Sequence, residues 1–223
     1  MAVASPPSGP PPVPPSGAPP VPPRGAIDWA ARIHTLKGEQ ECGDSYVLAP
    51  FPQGVLAAVI DGLGHGSEAA TAARIAAETL RERAHHPVAD LIKHCHAALY
   101  KTRGAVISLA SIDTANDRMA WLGVGNVEGM LIRAGTNVQP GRETLLLRSG
   151  VCGYQMQPLR TTTLSIFPGD TLILVTDGID SGFIQAVSPL ASPDTIAADI
   201  LSRYVKETDD ALVLVIRYLG TKA

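Results

Sequence analysis

Aspartates occur at four turns of the chain, and each turn borders an apolar segment that is typical of a β-strand. These residues are Asp44, Asp61, Asp177 and the adjacent pair Asp209 and Asp210. The clearest case is Asp61, which ends the apolar run 55–60 and precedes the glycine-rich turn 62–66. A sheet holds the ends of its strands in fixed positions, and glycines let the backbone turn sharply beside them. We therefore expect the carboxylates to converge at one edge of a sheet.

Converging carboxylates predict a site for divalent cations. Without a cation, the negative charges repel one another and raise their pKa values. Two bound cations would remove that cost, and ligands made only of oxygen favour Mg²⁺ or Mn²⁺ over Zn²⁺. Two such ions about 4 Å apart can generate a hydroxide nucleophile near neutral pH and hold a phosphoryl group for in-line attack. The predicted chemistry is therefore hydrolysis of a phosphate ester.

Composition excludes several other functions. The chain has 223 residues and a net charge of −3, and it contains no block of Lys and Arg, so nucleic acid is not an expected partner. No apolar run is long enough to span a bilayer, and we expect no membrane association. Cys42, Cys95 and Cys152 form no C-x-x-C pair, which favours a reducing compartment, and we predict a cytoplasmic protein.

Proline content divides the chain into two parts. Residues 1–25 repeat the sequence Pro-Pro-Val-Pro-Pro at 11–15 and 19–23, which predicts a disordered tail. That tail is either a ligand for an aromatic groove or a solubilising leader. Residues 26–223 are predicted to form one folded domain.

Periodicity predicts an α+β fold with mainly antiparallel sheets. A helix is predicted over 67–84 with Ser67 as its N-cap, followed by a second helix over 88–101. After residue 105 the chain consists of short strands with hairpin-length connections, including 119–127 and 144–148, and this pattern favours antiparallel pairing. A third helix is predicted over 194–205, capped by Ser192 or Asp194. Four histidines have no zinc-ligand spacing and are predicted to lie on exposed helix surface: His85, His86, His94 and His96.

Three of the acidic turns resemble the metal motifs of a known family. Asp61-Gly62 after an apolar strand, Thr176-Asp177-Gly178-Ile179, and Asp209-Asp210 before the last strand are similar to motifs of the PPM metal-dependent protein Ser/Thr phosphatases. The turn 61–66, with Gly43-Asp44-Ser45 upstream, resembles the SpoIIE-like branch. Segments 102–105 and 121–127 are most similar to the small, single-domain RsbX-type phosphatases. The resemblance runs from about residue 27 to 220.

This resemblance implies a fold and a set of metal ligands. The fold would be a four-layer α-β-β-α sandwich of two mainly antiparallel sheets, with two Mn²⁺ or Mg²⁺ ions at one sheet end. Asp61 would bridge both ions and the Gly62 carbonyl would complete one shell. Asp177 and Asp209 would supply further ligands, and Asp44 would hold metal-bound water. Asp210 lies where relatives often carry Asn, and it belongs to the candidate metal set with these residues.

The implied reaction is attack of an activated water on phosphoserine or phosphothreonine, with Asp61 and Asp44 as the catalytic residues. Larger relatives place a His directly after Asp-Gly, whereas this chain has Leu63 there and His65 two positions later. His65 is therefore either a general acid or a structural residue at the start of a helix. Arg32 cannot be aligned with the arginine that binds phosphate in those relatives. Asn126 either lines the site or stabilises a turn.

The implied partner is a phosphorylated STAS-domain antagonist or a stressosome-like scaffold protein in a partner-switching pathway. The alternative function is a catalytically silent PPM-fold binding module in the same pathway. A GHKL-type nucleotide-binding kinase is disfavoured because its ATP loop reads Asp-x-Gly-x-Gly, whereas the glycines after Asp61 fall at 62, 64 and 66.

Overall fold

The computed structural model describes residues 25–135 and 139–220. The predicted tail, apart from Gly25, lies outside the described residues, so the tail and the domain limits stay predictions. None of the helices in the described part is long and apolar enough to cross a membrane.

The elements alternate between strands and a few helices. The strands are β1 Ile27–His34, β2 Asp44–Phe51, β3 Gly54–Gly62, β4 Ala105–Asp113, β5 Arg118–Val124, β6 Glu128–Ile132, β7 Arg142–Thr144, β8 Leu147–Arg148, β9 Gly150–Val151, β10 Gln155–Met156, β11 Thr162–Ser165, β12 Thr171–Val175 and β13 Ala211–Tyr218. The helices are α1 Ser67–Glu82, α2 Val88–Ala98, α3 Phe183–Ala186 and α4 Pro193–Tyr204.

Two sheets form the centre of the molecule. The first sheet has the order β11-β5-β4-β3-β2, with β8 added beside β5, and the second has the order β1-β13-β12-β6-β7. Neighbouring strands pair antiparallel along both orders, whereas β8 runs parallel to β5. A separate small hairpin joins β9 to β10.

Strand β3 shows how the layers are built. Its side chains alternate between two cores, as the period of two in a strand requires. Leu56, Ala58 and Ile60 pack under α1 and α2, while Val55, Ala57 and Val59 face the second sheet. A third core lies between the second sheet and the helices α3 and α4. The predicted α+β, four-layer α-β-β-α sandwich is therefore confirmed.

Helix α1 packs on the first sheet through a face of small residues. Ala69, Ala72, Ala73, Ala76 and Leu80 are buried, as the helical spacing predicts. The helix approaches the sheet so closely that a Cβ added at Gly62 would lie 2.2 Å from the Ala69 carbonyl oxygen. This contact places the start of α1 against the end of β3.

Several predicted boundaries were wrong. Ser67 is not the N-cap of α1: Gly66 holds that position with φ 75°, and no side chain caps the helix. Helix α2 ends at Ala98, before the predicted end at residue 101. Ser192 caps α4 as predicted, since its Oγ accepts a hydrogen bond from the Thr195 amide at 3.2 Å.

Two predicted strands also differ from the structure. The strand predicted over 119–127 ends at Val124, because Gly125 takes φ 97° in the left-handed region. The segment 144–148 is not one strand, because β7 pairs with β6 in the second sheet and β8 pairs with β5 in the first. The chain crosses between the sheets at the buried residue Leu145.

Candidate active site

The acidic turns meet at one end of the sandwich. Asp44 and Asp61 lie directly opposite each other in the β2–β3 pairing. Asp177 closely follows β12, and Asp210 directly precedes the neighbouring strand β13. The hydroxyl of Thr176 donates a 2.7 Å hydrogen bond to Asp44 Oδ2 and so links the two sheets at this end. Both sheets thus contribute carboxylates to one region.

An open cleft of about 820 Å³ lies at this end, and we call it the acidic cleft. Three of the predicted ligands line it: Asp61, Asp177 and Asp209. The remaining wall is formed by Leu63, Gly64, Val106, Gly125, Asn126 and the segment 149–151. Asp44 is buried behind Asp61, at 7% exposure. The structure therefore brings the predicted carboxylates together and opens three of them to solvent.

The electrostatics of the cluster match a cation site. Burial, followed by repulsion from Asp44 and Asp177, raises the pKa of Asp61 to about 8. Burial also raises the pKa of Asp44 to about 7, against the opposing effect of the Thr176 hydrogen bond. The pKa of Asp209 is raised as well, chiefly by burial. Carboxylates with raised pKa values gain stability when a cation neutralises their charge.

The two adjacent acids of the last turn have different environments. Asp210 is only 3% exposed, and its two carboxylate oxygens accept backbone hydrogen bonds from Leu36 at 2.8 Å and Gly43 at 2.7 Å. It fixes the loop between β1 and β2 in place. Asp209 faces the acidic cleft instead. Asp210, which the sequence placed among the candidate metal ligands, thus lies away from the cleft and contacts the loop between β1 and β2.

The oxygen ligands of the acidic cleft suit partly hydrated Mg²⁺ or Mn²⁺ better than a metal ion whose ligands are all protein side chains. Among residues 25–135 and 139–220, no three His, Cys, Asp or Glu side chains form a ready-made metal cluster. Mg²⁺ sites commonly use one or two carboxylates and leave the remaining positions to water. The carboxylates that line the open cleft are compatible with such partly hydrated ions. Their all-oxygen chemistry does not favour Zn²⁺.

Glycines after the cleft aspartates allow close packing of the turns. A Cβ added at Gly178 would lie 1.9 Å from the carbonyl oxygen of Asp210. This contact holds the turn that carries Asp177 against the turn that carries Asp209. The glycine in each Asp-Gly pair is therefore required by backbone contact, whether or not its own carbonyl binds a metal.

We expect Gly178→Ala to lower the free energy of unfolding by about 3 kcal/mol, since forced overpacking has costs of this order. It should also reduce phosphatase activity, because the displaced turn moves Asp177 away from Asp209. Urea denaturation and metal-dependent hydrolysis would measure the two effects. Gly141→Ala is the matched control, because an added Cβ there meets nothing within 4 Å. Equal stability of the two variants would contradict the packing argument.

Three residues whose roles the sequence left undecided have defined contacts in the structure. Asn126 lies in the cleft wall, and its side-chain amide donates a 2.6 Å hydrogen bond to Asp177 Oδ2. His65 Nδ1 lies 2.6 Å from Glu39 Oε1, so a carboxylate holds its ring. The guanidinium of Arg32 pairs with Asp194 on α4.

Sequence reasoning missed several neighbours of the site. Lys206 is one example, since its ammonium donates a 2.7 Å hydrogen bond to the Asp177 backbone carbonyl. The hydrogen bond from Thr176 to Asp44 is another, although Thr176 itself belongs to the motif 176–179. Thr176 is adjacent to Asp177 in the sequence, but its role depends on a contact with the other sheet. The sequence around Lys206 carries no motif that signals its contact.

Comparison with known proteins agrees with this architecture. The family model described as Stage II sporulation protein E (SpoIIE) matches residues 52–219. The phosphoserine phosphatase RsbX of Bacillus subtilis (strain 168) is 26% identical over 185 residues, covering 82% of this chain and 90% of RsbX.

Many solved structures share this fold, including the following two. One structure has a TM-score of 0.78 and 28% sequence identity, and the match covers 86% of this chain and 100% of the other chain. It is described as "The bacterial stressosome: a modular system that has been adapted to control secondary messenger signaling". RsbX in complex with magnesium has a TM-score of 0.77 and 24% identity, covering 86% of this chain and 96% of its own. The family match spans most of the sequence, and the chain therefore belongs to the SpoIIE family, within the PPM metal-dependent protein serine/threonine phosphatases.

Proposed function

We propose that residues 26–223 form one catalytic domain that removes phosphate from phosphoserine or phosphothreonine of a STAS-domain regulator. The observation that carries this proposal is the convergence of Asp61, Asp177 and Asp209 in one open cleft at the junction of two sheets. An acidic cleft repels a phosphate dianion unless cations are bound there. The same geometry that disfavours a metal-free phosphate site therefore favours a metal-dependent phosphatase.

We assign the metal-holding role to Asp61, Asp177 and Asp209, with the Gly62 carbonyl completing one shell. Bound Mn²⁺ or Mg²⁺ would supply an acidified water and charge stabilisation of the phosphoryl oxygens. Asn126 orients the Asp177 carboxylate through its 2.6 Å hydrogen bond. We assign Asp210 the anchoring of the loop between β1 and β2 rather than direct ligation, because backbone amides occupy both of its oxygens.

We assign Asp44 the role of orienting the attacking water and accepting its proton. It lies opposite Asp61 in the β2–β3 pairing, and the Thr176 hydroxyl fixes its orientation. In this reaction the water oxygen forms a bond to phosphorus while one water proton passes to Asp44. The bond from phosphorus to the seryl oxygen breaks, that oxygen takes a proton from solvent, and Asp44 returns its proton to solvent. The products are inorganic phosphate and the free hydroxyl side chain.

The relatives suggest the class of partner. RsbX carries the name phosphoserine phosphatase, and one structural neighbour comes from work on the bacterial stressosome. We therefore propose a phosphorylated STAS-domain antagonist or a stressosome-like scaffold as substrate, within a partner-switching pathway. Three free cysteines, two of them buried, suit a reducing compartment, and we propose that the protein acts in the cytoplasm.

The direct test measures phosphate release from a purified phosphorylated STAS-domain protein, in Mn²⁺ and in EDTA. We expect release that requires Mn²⁺ and stops in EDTA. Release from a generic phosphate ester but from no STAS-domain phosphoprotein would contradict the proposed substrate alone. Tight Mn²⁺ binding without release from any substrate would favour the alternative function, a silent binding module.

A further inference from the structure

A second hollow adjoins the acidic cleft. It has a volume of about 520 Å³ and lies along the β9–β10 hairpin, and we call it the hairpin groove. Its lining residues are Ser149, Gly150, Val151, Tyr154, Gln155 and Gln157, together with Met156. The first three of these residues also line the acidic cleft, so the two hollows share one wall.

We propose that the hairpin groove binds the extended polypeptide segment next to the phosphorylated residue of the protein substrate, with Tyr154 as its main contact. This inference rests on the proposed function and adds a specificity determinant to it. The shared wall is the reason for choosing this occupant: a peptide whose phosphoserine enters the acidic cleft must leave it along an adjoining surface. A small phosphate ester would occupy the acidic cleft and leave the groove empty.

The hairpin is held firmly in its position before any substrate arrives. Cys152 pairs with Ala105 of β4 through two backbone hydrogen bonds of 2.8 and 3.1 Å. The Gly153 amide donates a 3.1 Å hydrogen bond to His96 Nδ1 on α2. A Cβ added at Gly153 would lie 2.7 Å from the Leu99 carbonyl oxygen, so the turn is packed tightly against the end of α2. A surface fixed in this way loses little conformational entropy on binding.

The exposure of Tyr154 is unusual on so rigid a turn. Tyr154 is 84% exposed even though the backbone of its neighbours is anchored. Tyrosine combines a large apolar ring with a hydroxyl and few rotatable bonds, and it is enriched at the energetic centres of protein interfaces. An aromatic residue whose backbone is fixed at the rim of a cleft can pack on a peptide without prior ordering of the turn that carries it.

The chemistry of the groove indicates which peptides it accepts. The described residues that line it carry no charged side chain. Recognition would therefore use the peptide backbone and uncharged flanking residues rather than acidic or basic ones. The preference for a peptide that the groove provides should change little with salt concentration, whereas a preference that depends on exposed charges would weaken as salt is added.

The test compares two probes on the full chain in Mn²⁺: p-nitrophenyl phosphate, and a phosphoserine peptide with uncharged flanking residues. The measured quantity is the ratio of kcat/KM for the peptide to kcat/KM for the small ester. We expect Tyr154→Ala to lower this ratio about tenfold, mostly through a higher KM for the peptide, as for truncation of an interface anchor. Tyr154→Phe should retain most of the ratio, because it keeps the ring that packs on the peptide.

Phe167→Ala is the control, because Phe167 is a partly exposed aromatic residue before β12, at the end of that strand opposite Asp177. It should keep the wild-type ratio. An unchanged ratio in Tyr154→Ala, or an equal fall for both probes, would overturn the groove proposal while leaving the phosphatase proposal intact. If the wild type hydrolyses neither these probes nor a phosphorylated STAS-domain protein, the proposed function is overturned, and the groove proposal with it.

Discussion

Asp61→Asn is expected to reduce Mn²⁺-dependent phosphate release at least about a thousandfold, because a metal-stabilised transition state is worth several kcal/mol. Asp61 is the carboxylate that lines the acidic cleft and also lies opposite Asp44 in the β2–β3 pairing. Asparagine keeps the size of the side chain but removes its charge. The variant should therefore lose metal affinity without losing the fold.

The same substitution should stabilise the metal-free protein. Burial and neighbouring carboxylates raise the pKa of Asp61 to about 8, which means that the folded state disfavours its ionised form. Asparagine carries no charge to be buried or repelled. We expect the free energy of unfolding in EDTA near pH 8 to rise by an amount on the order of 2 kcal/mol. Activity and metal-free stability thus change in opposite directions.

Phosphate release and urea denaturation in EDTA measure the two effects. Asp28→Asn is the matched control: it replaces an exposed aspartate on β1 and should leave both quantities near the wild-type values. Retained activity in Asp61→Asn would remove this residue from the metal site. Lower stability in EDTA would show that its carboxylate has a structural role instead.

The convergence of the aspartates could be predicted because each lies at a strand boundary. The helical spacing of the alanines in α1 likewise predicts which face of that helix is buried, whereas the apolar strand β3 is buried on both faces. Asp209 and Asp210 could not be distinguished in this way. They are adjacent, and only the pairing of β13 and the position of the loop between β1 and β2 direct one into the cleft and the other to the amides of Leu36 and Gly43.

Contacts between distant segments explain the remaining differences. The segment 144–148 is uniformly strand-like in sequence, yet it divides at Leu145 because its two halves pair with different sheets. Asn126 stays ambiguous in the sequence because its partner, Asp177, lies in a turn 51 residues further along the chain. The hairpin groove has no sequence motif at all, since it arises from packing of a turn against α2.

Metal removal should destabilise the protein more at alkaline than at acidic pH. The pKa of Asp44 is raised to about 7 and that of Asp61 to about 8. The folded state therefore binds these protons more tightly than the unfolded state does. The resulting stabilisation is fully present below about pH 4 and is lost as the pH rises through 7 and 8. In EDTA, the melting temperature should fall across this range.

Mn²⁺ should oppose this fall, because cation binding requires ionised carboxylates and stabilises them. At about a hundredfold excess over Kd, bound Mn²⁺ should raise the melting temperature by roughly 5–10 °C at pH 8, and by much less near pH 5.5. Thermal denaturation at both pH values, with Mn²⁺ or EDTA, measures the difference. Asp61→Asn should flatten the pH dependence in EDTA, whereas Asp28→Asn should preserve it. An Mn²⁺-induced increase of equal size at both pH values would mean that the ion binds elsewhere than at the carboxylates with raised pKa values.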